Sequence, residues 1–479
     1  MSNKFVNRLV LIAAVLFLLW GCDTQKMAVR KENRSVPASY NGSQDSANAA
    51  KIRWQDYFTD QHLAVLIDTA LKNNQELNII LQEIAISRNE IRARKGEYLP
   101  FLGIGAGAGV EKTPRYTRNG ALDDNPAAPI APGKNIPEVL PDFLLSANVS
   151  WEVDIWKKLR NAKKAAVLRY LATVEGKNFM VTNLIAEIAS SYYELMALDN
   201  ELNIVRQNIR IQSNALEIVK LQKTAARVTE LAVRKFEAEV LKTTSLQYDI
   251  LQQITETENR INFLVGRYPQ HIERNSQTFT DLVPDTIYAG IPSQLLANRP
   301  DIMQAEQDLA AAKLDVKVAK ARFYPSLGIS ASLGYQAFDP AYLIKTPESL
   351  LYSLAGDLAA PLINRNAIKA AYYSANAQQV QAVYNYERTI LNAYVEVANQ
   401  LAKISNLRSS YDLKSKQVQA LSRSIDISND LFKSARADYM EVLLTQRDAL
   451  EAKFELIETK KQQMNTMVNI YQALGGGWR

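Results

Sequence analysis

Apolar positions along this chain follow two different periods, and the change between them occurs twice. From residue 366 to 474 there is neither proline nor glycine, and Ile390, Val397, Ile404, Tyr411, Val418, Ile425 and Phe432 stand seven apart. After a short break a second seven-spaced series follows: Leu443, Leu450, Ile457, Met464 and Tyr471. A sustained seven-residue apolar repeat marks a helix packed along a coiled-coil seam. Two long helices are therefore predicted, joined between Phe432 and Leu443. At 1.5 Å per residue the first would run about 105 Å. Val181, Ile188, Leu195, Leu202, Ile209 and Leu216 form the same series 209 residues earlier, and the offset continues through the pairs Arg227/Arg436 and Val233/Val442. An internal duplication of this length sets the architecture before any motif is considered.

Ahead of each helical stretch the period drops to two. Leu102, Ile104, Ala106, Ala108 and Val110 alternate with glycines 103 to 109, and Phe143, Leu145, Ala147, Val149, Trp151, Val153 and Ile155 alternate with mostly small or polar residues. Such strands are two-faced. Their lengths suit tilted membrane-spanning strands better than a soluble sheet. Pro114, Pro126, Pro129, Pro132, Pro137 and Pro141 mark the connection as an irregular exposed loop. These elements recur as well: Leu77, Pro100, Leu102, Gly103 and Ile104 match Ile302, Pro325, Leu327, Gly328 and Ile329 at an offset of 225, and the second strand recurs at 209 because the later surface loop is shorter.

The predicted organisation is mainly α with a β-barrel portion. It comprises a signal peptide (1–21), a lipid-anchored flexible tether (22–50), a first repeat (51–268), a linker with Pro269, Pro284 and Pro292 (269–292), and a second repeat (293–479). Strands are expected at about 101–111, 142–156, 326–336 and 350–363, and long helices at about 157–265 and 366–474. Four strands cannot close a barrel, and bilayer-spanning strands cannot leave edges unpaired. Three chains would pool twelve strands, an even number that closes, above twelve long helices.

Composition narrows the chemistry. The 479 residues are 47% hydrophobic and 22% charged, with 56 basic and 50 acidic residues interspersed. No basic block suggests a nucleic-acid groove. No phosphate-binding glycine loop, zinc-protease motif or nucleophile elbow occurs, so no catalytic residue is assigned. His62 and His271 are far apart and the single cysteine is Cys22, so no metal site is expected and no cofactor is implied. Lys4 and Arg8 precede an apolar run from Leu9 to Leu19, too short to span a bilayer and fitting for a signal peptide. It ends in Leu19-Trp20-Gly21-Cys22, which resembles a bacterial lipobox with Cys22 as the acylated residue.

On this duplicated frame lie Leu295-Leu296-Ala297-Asn298-Arg299-Pro300-Asp301-Ile302 with Glu306, Phe323-Tyr324-Pro325, Trp151-Glu152-Val153-Asp154-Ile155, and Tyr471-Gln472-Ala473-Leu474-Gly475-Gly476-Gly477-Trp478. With these motifs the chain resembles the TolC family of outer-membrane efflux proteins, in its lipidated NodT-like branch, over nearly everything after Cys22. The resemblance implies a homotrimeric channel-tunnel with a twelve-stranded barrel in outer-membrane lipid. It would serve as a passive exit duct fed by a periplasmic adaptor and an inner-membrane transporter of the resistance-nodulation-division type. Other readings are the exit duct of a type I protein secretion system and a structural coiled-coil lipoprotein.

The resemblance also implies site residues. Glu441 occupies an acidic position lining the closed periplasmic mouth, where three copies would attract cations. Arg436 and its repeat partner Arg227 lie at the helical turns, with Asp438 and Glu230 nearby as ion-pair partners. From spacing alone all five read equally as solvated surface charges. Trp151, Tyr352 and Phe143 fit either an interfacial girdle or core packing. The chain has Lys157, Ala226, Asn366 and Ala435 where the family has turn glycines. Since alanine avoids positive φ, a different turn geometry is expected.

Overall fold

The computed structural model describes residues 30–40, 46–123, 138–282, 288–363, 365–434 and 436–479. The signal peptide, Cys22, Pro126 to Pro137, Pro284 and Ala435 lie outside the described residues. The first repeat carries α1 (Gln61–Asn73), α2 (Gln75–Tyr98), β1 (Phe101–Glu111), β2 (Leu140–Val153), α3 (Lys158–Thr224) and α4 (Glu230–Val265). The second carries α5 (Pro300–Ala321), β3 (Ser326–Ala337), β4 (Leu350–Ala359), α6 (Asn366–Lys433) and α7 (Tyr439–Ala473). Two compact units emerge: residues 86–170 with 308–383, containing the sheet, and residues 32–85, 171–307 and 384–479, all helix and connections.

In the sheet unit the strands pair antiparallel in the order β1-β2-β3-β4. Register matters more than order, because directly opposed residues share a face. Leu102, Val149, Ala331 and Leu354 form one row across the sheet, and Ile104, Ala147, Leu333 and Tyr352 the next row on that face. Between them runs Gly103, Asn148, Ser332 and Ser353 on the opposite face. The apolar positions of all four strands therefore coincide on one side. Among the described residues this face is left largely bare at the outer strands: Ile104 is 81% exposed and Leu354 79%.

Two details depart from expectation. β2 begins at Leu140 and so includes Pro141, which pairs with Val110. Proline is tolerated there because β3 ends at Ala337, opposite Phe143, so the missing N–H forfeits no bond on the β3 side. The loop after β1 also contains a short helix, Arg118–Asp123, where only irregular chain was expected. On the polar face Ser146 is buried, since Gly334 opposite has no side chain: a Cβ there would lie 2.3 Å from the Leu145 carbonyl oxygen.

At the exit of β2, the Asp154 carboxylate accepts from the amides of Leu159 (3.0 Å) and Arg160 (2.9 Å) and from Arg160 Nε (3.1 Å). These bonds cap the start of α3 and hold Lys157 at φ 59° without a glycine. Trp156 stacks on Tyr324 at 4.7 Å and donates to the Pro325 carbonyl at 2.7 Å.

The helical unit has a continuous core. Leu63 and Ile67 of α1, Ile188, Tyr192 and Leu195 of α3, Ile261 and Val265 of α4, and Val468 and Tyr471 of α7 are all buried in it. Asp60 caps α1 through the amides of His62 and Leu63, and Tyr192 donates its hydroxyl to the same carboxylate. The linker is bound rather than loose: Ile272 and Phe279 are buried. Arg274 donates to Asp199 at 2.6 and 2.9 Å and to Glu258 at 2.5 Å.

The expected tether is corrected in its described part. Tyr40 is 3% exposed and stacks on Tyr394 at 5.4 Å, while Arg34 pairs with Glu306 at 2.8 Å. The polar composition of this segment hid two anchors whose partners lie more than 250 residues away.

Candidate functional site at the helical turns

The turn between α3 and α4 is a left-handed helix ending. Ala226 takes φ 55°, the Ala226 amide donates to the Lys223 carbonyl at 2.9 Å, and the Arg227 amide reaches back to Gln222 at 2.9 Å. That double bond pattern is the one a glycine normally closes. The expectation of a different geometry is therefore corrected: alanine adopts the glycine-type turn, with strain of about 1–2 kcal/mol. In the second turn the Arg436 amide bonds Leu431 at 2.8 Å, the same five-residue reach.

Burial holds the two turns together. Leu216, Val219, Ala232, Val233 and Phe236 of the first form a small core, and Phe432, Tyr439 and Leu443 of the second pack on it. The repeat equivalents of those last three, 209 residues earlier, are Lys223, Glu230 and Arg234. In the first turn these are charged and exposed: Glu230 takes Lys223 on one side and Arg234, at 2.9 Å, on the other. The hydrogen bond from Lys223 holds the Glu230 carboxyl below the usual carboxylate range. The same three positions are thus a charged strip in one repeat and an apolar plug in the other.

Arg227, Arg436, Asp438 and Glu441 are exposed and form no ion pair among the described residues. Asp438 sits at the N-cap of α7 without a side-chain cap bond, and Glu441 lies in the first turn of that helix. The structure brings all five predicted residues to one end of the helical unit. It does not join Arg436 to Asp438 or Glu441 within one chain. The apolar plug was missed from sequence, although the heptad positions Phe432 and Leu443 carried its signal.

The quoted motifs have structural work of their own. Arg299 is buried and donates to Asp301 (2.9 and 2.6 Å), to Glu396 (2.6 Å) and to the Ala473 carbonyl (2.9 Å) that ends α7. Burial would lower its pKa, but Asp301 and Glu396 more than offset this and hold it charged. Gly475, at φ 88°, passes so close to Asn298 that a Cβ would lie 2.5 Å from its carbonyl oxygen, and Trp478 donates to that oxygen at 3.1 Å. The motif around Arg299 and the closing glycine run are thus two halves of one joint. Trp151 donates to the Tyr98 carbonyl at 3.1 Å, and Tyr352 lies exposed on the apolar face.

The family described as outer membrane efflux protein matches residues 66–267 and 291–476, the two repeats. The pyoverdine export outer membrane protein OpmQ of Pseudomonas aeruginosa is 28% identical over 438 residues, covering 90% of this chain and 89% of its own. The cation efflux system protein CusC of Escherichia coli O6:H1 is 26% identical, covering 97% and 98%. The solved CmeC outer membrane channel of Campylobacter jejuni superposes with a TM-score of 0.82 at 20% identity, covering 95% of this chain and 94% of that one. With both repeats matched and the fold shared, the chain belongs to the outer membrane efflux protein family.

Proposed function

We propose that three copies of this chain close one barrel and form the passive exit duct of a tripartite efflux system. In this reading a periplasmic adaptor and an inner-membrane pump of the resistance-nodulation-division type deliver the cargo, and acylated Cys22 anchors each copy in the outer membrane. One observation carries the reading: a four-stranded sheet that, among the described residues, has one apolar face largely uncovered and two open edges. Such a sheet is stable only where lipid meets the face and further strands meet the edges. A coiled-coil scaffold has no use for it. Relatives are named for pyoverdine export and for cation efflux, which fits a duct whose cargo is chosen by its pump.

The turns supply the gate. In a ring of copies the packing of one turn on the other recurs between neighbours with the repeats exchanged. Lys223, Glu230 and Arg234 then take the places of Phe432, Tyr439 and Leu443, and Glu441 takes that of buried Ala232. Glu441 of one copy faces the cations of the next, and Arg436 and Asp438 lie beside it with Arg227. Exposed pairs contribute only about 0.2–1 kcal/mol each, weak enough for an adaptor to displace.

Single-channel recording in planar bilayers tests this. Arg436→Glu is expected to raise conductance, and Glu441→Ala to lower cation selectivity and block by multivalent cations. Unchanged conductance and selectivity would return both residues to the status of solvated charges.

A further inference from the structure

Within the helical unit the small core at the turns is separate from the main core, and the long helices pass from one to the other through a polar layer. On α3 the main core reaches Ile209 and the turn core begins at Ala215. On α4 the interval runs from Val240 to Leu246, and on α7 from Leu443 to Phe454. The residues buried inside these intervals are Gln212, Thr243 and Gln446, with the small Ala449 and Ala452. α6 adds buried Ser428, four residues before Phe432. Gln212 holds a core position of the seam: it stands seven residues from both Val205 and Val219, and all three are 0% exposed.

Thr243 and Ser428 return their hydroxyls to their own helices, donating to the carbonyls of Glu239 and Ile425, both at 3.0 Å. The amides behave differently. Both polar atoms of Gln212 and of Gln446, and the amide nitrogen of Asn208, have no hydrogen-bond partner among the described residues. A polar group buried without a bond is costly, and a polar residue at a seam position weakens the packing there. The cost falls on the closed packing alone, because an amide that reaches water recovers its bonds. Nor does the duplication account for the layer: the repeat equivalents of Gln212 and Gln446 are Leu421 and Glu237.

We propose that this layer is the line along which the turn end of the helical unit opens. On the turn side the Phe236 cluster, with Phe432, Tyr439 and Leu443, parts as one cooperative piece. On the other side the core around Val205 and Ile250 stays packed. Segments joined to the rest by few apolar contacts open separately from it. Apolar burial at the turns holds the piece shut, and the unbonded glutamines bias it open, so the two terms oppose each other within a few helical turns. The use of this line in opening the duct rests on the proposed gate; the separation of the two cores does not.

Amide hydrogen exchange, followed by mass spectrometry on the full-length protein in detergent, tests the line. Amides of 215–240 and 429–443 should exchange as one group, faster than those of 188–205 and 457–471. Gln212→Leu combined with Gln446→Met removes four unbonded polar atoms. It should slow exchange of the first group about tenfold and leave the second unchanged. Gln446→Met alone, which keeps the unbranched shape of the side chain, should give part of that slowing. One common rate for both groups, equal slowing of both, or no slowing of the first would overturn the line. In planar bilayers the double variant should also reduce the conductance gained by Arg436→Glu. A gain that the glutamine variants leave intact would overturn the use of the line in opening. Slowed exchange at the turns together with no effect of Arg436→Glu on conductance would keep the line and overturn the gate.

Discussion

The two units stabilise themselves in opposite ways. The helical unit buries Leu63, Ile67, Ile188, Tyr192 and Tyr471 among its own helices and seals its joints with Arg274 and Arg299. The sheet unit pairs its four strands with one another but, among the described residues, leaves both edges open and Leu102, Ile104, Val110, Leu354 and Leu358 exposed. One unit covers its apolar side chains within the chain; the other leaves them bare among the described residues. Apolar burial contributes about 25 cal/mol per Å², so in the proposed duct the uncovered face is a gain deferred until lipid and neighbouring copies cover it.

The largest expected effect would break the helical side of this comparison. Arg299→Leu leaves Asp301 without its cation and uncaps the end of α7, and should cost about 3–5 kcal/mol. Thermal unfolding in detergent, followed by far-ultraviolet circular dichroism, measures it. A loss below about 1 kcal/mol would mean the buried joint does not hold the unit.

A slightly smaller effect tests the sheet. Leu145→Arg, on the apolar face, should cost about 2–4 kcal/mol near the bilayer midplane and impair assembly in the outer membrane. Ser330→Arg, exposed on the polar face, should be tolerated. Ser146 is unsuitable as the control, despite lying next to Leu145, because Gly334 packs against it. Equal loss of assembled protein for both variants in membrane fractions would show that the two faces do not differ in surroundings.

The smallest effect separates the units by pH. Burial, opposed by Lys461 and reinforced by Glu458 and Glu194, pushes the Glu201 carboxyl up to about 7. The folded chain therefore binds a proton that the unfolded chain, with its ordinary value of 4.5, has released. That contribution is fully present below pH 4.5 and is lost as pH rises through about 7. Glu201→Gln should flatten the stability change of the helical unit between pH 5 and about 8. An unaltered pH profile in the variant would assign the dependence to other groups.

Much of this was legible along the chain. Heptads at Val181 to Leu216 and Ile390 to Phe432 identified the long helices, because a seven-residue period has few alternatives over that length. Alternation after Pro100 and Pro325 identified strands whose apolar parity was readable, and the offsets of 209 and 225 identified the duplication. The five charged residues of the turns could be located by their distance from the end of the heptads, but not their pairing. Glu230 proves to be held by Lys223 and Arg234, while Glu441 is exposed with no ion pair among the described residues. The anchoring of Tyr40 on Tyr394 was invisible, since a lone tyrosine in a polar stretch carries no period.

Periodicity thus determined the elements, their duplication and the two-faced character of the strands, since these depend on neighbours a few residues away. Tertiary structure alone decided that Ala226 adopts a left-handed turn, that Arg299 joins Asp301 to the end of α7, and that all four apolar faces fall in one register. Each of these depends on groups distant in sequence. A local preference, such as alanine's avoidance of positive φ, amounts to only about 1–2 kcal/mol, and the packing of a few buried side chains in the Phe236 cluster outweighs it.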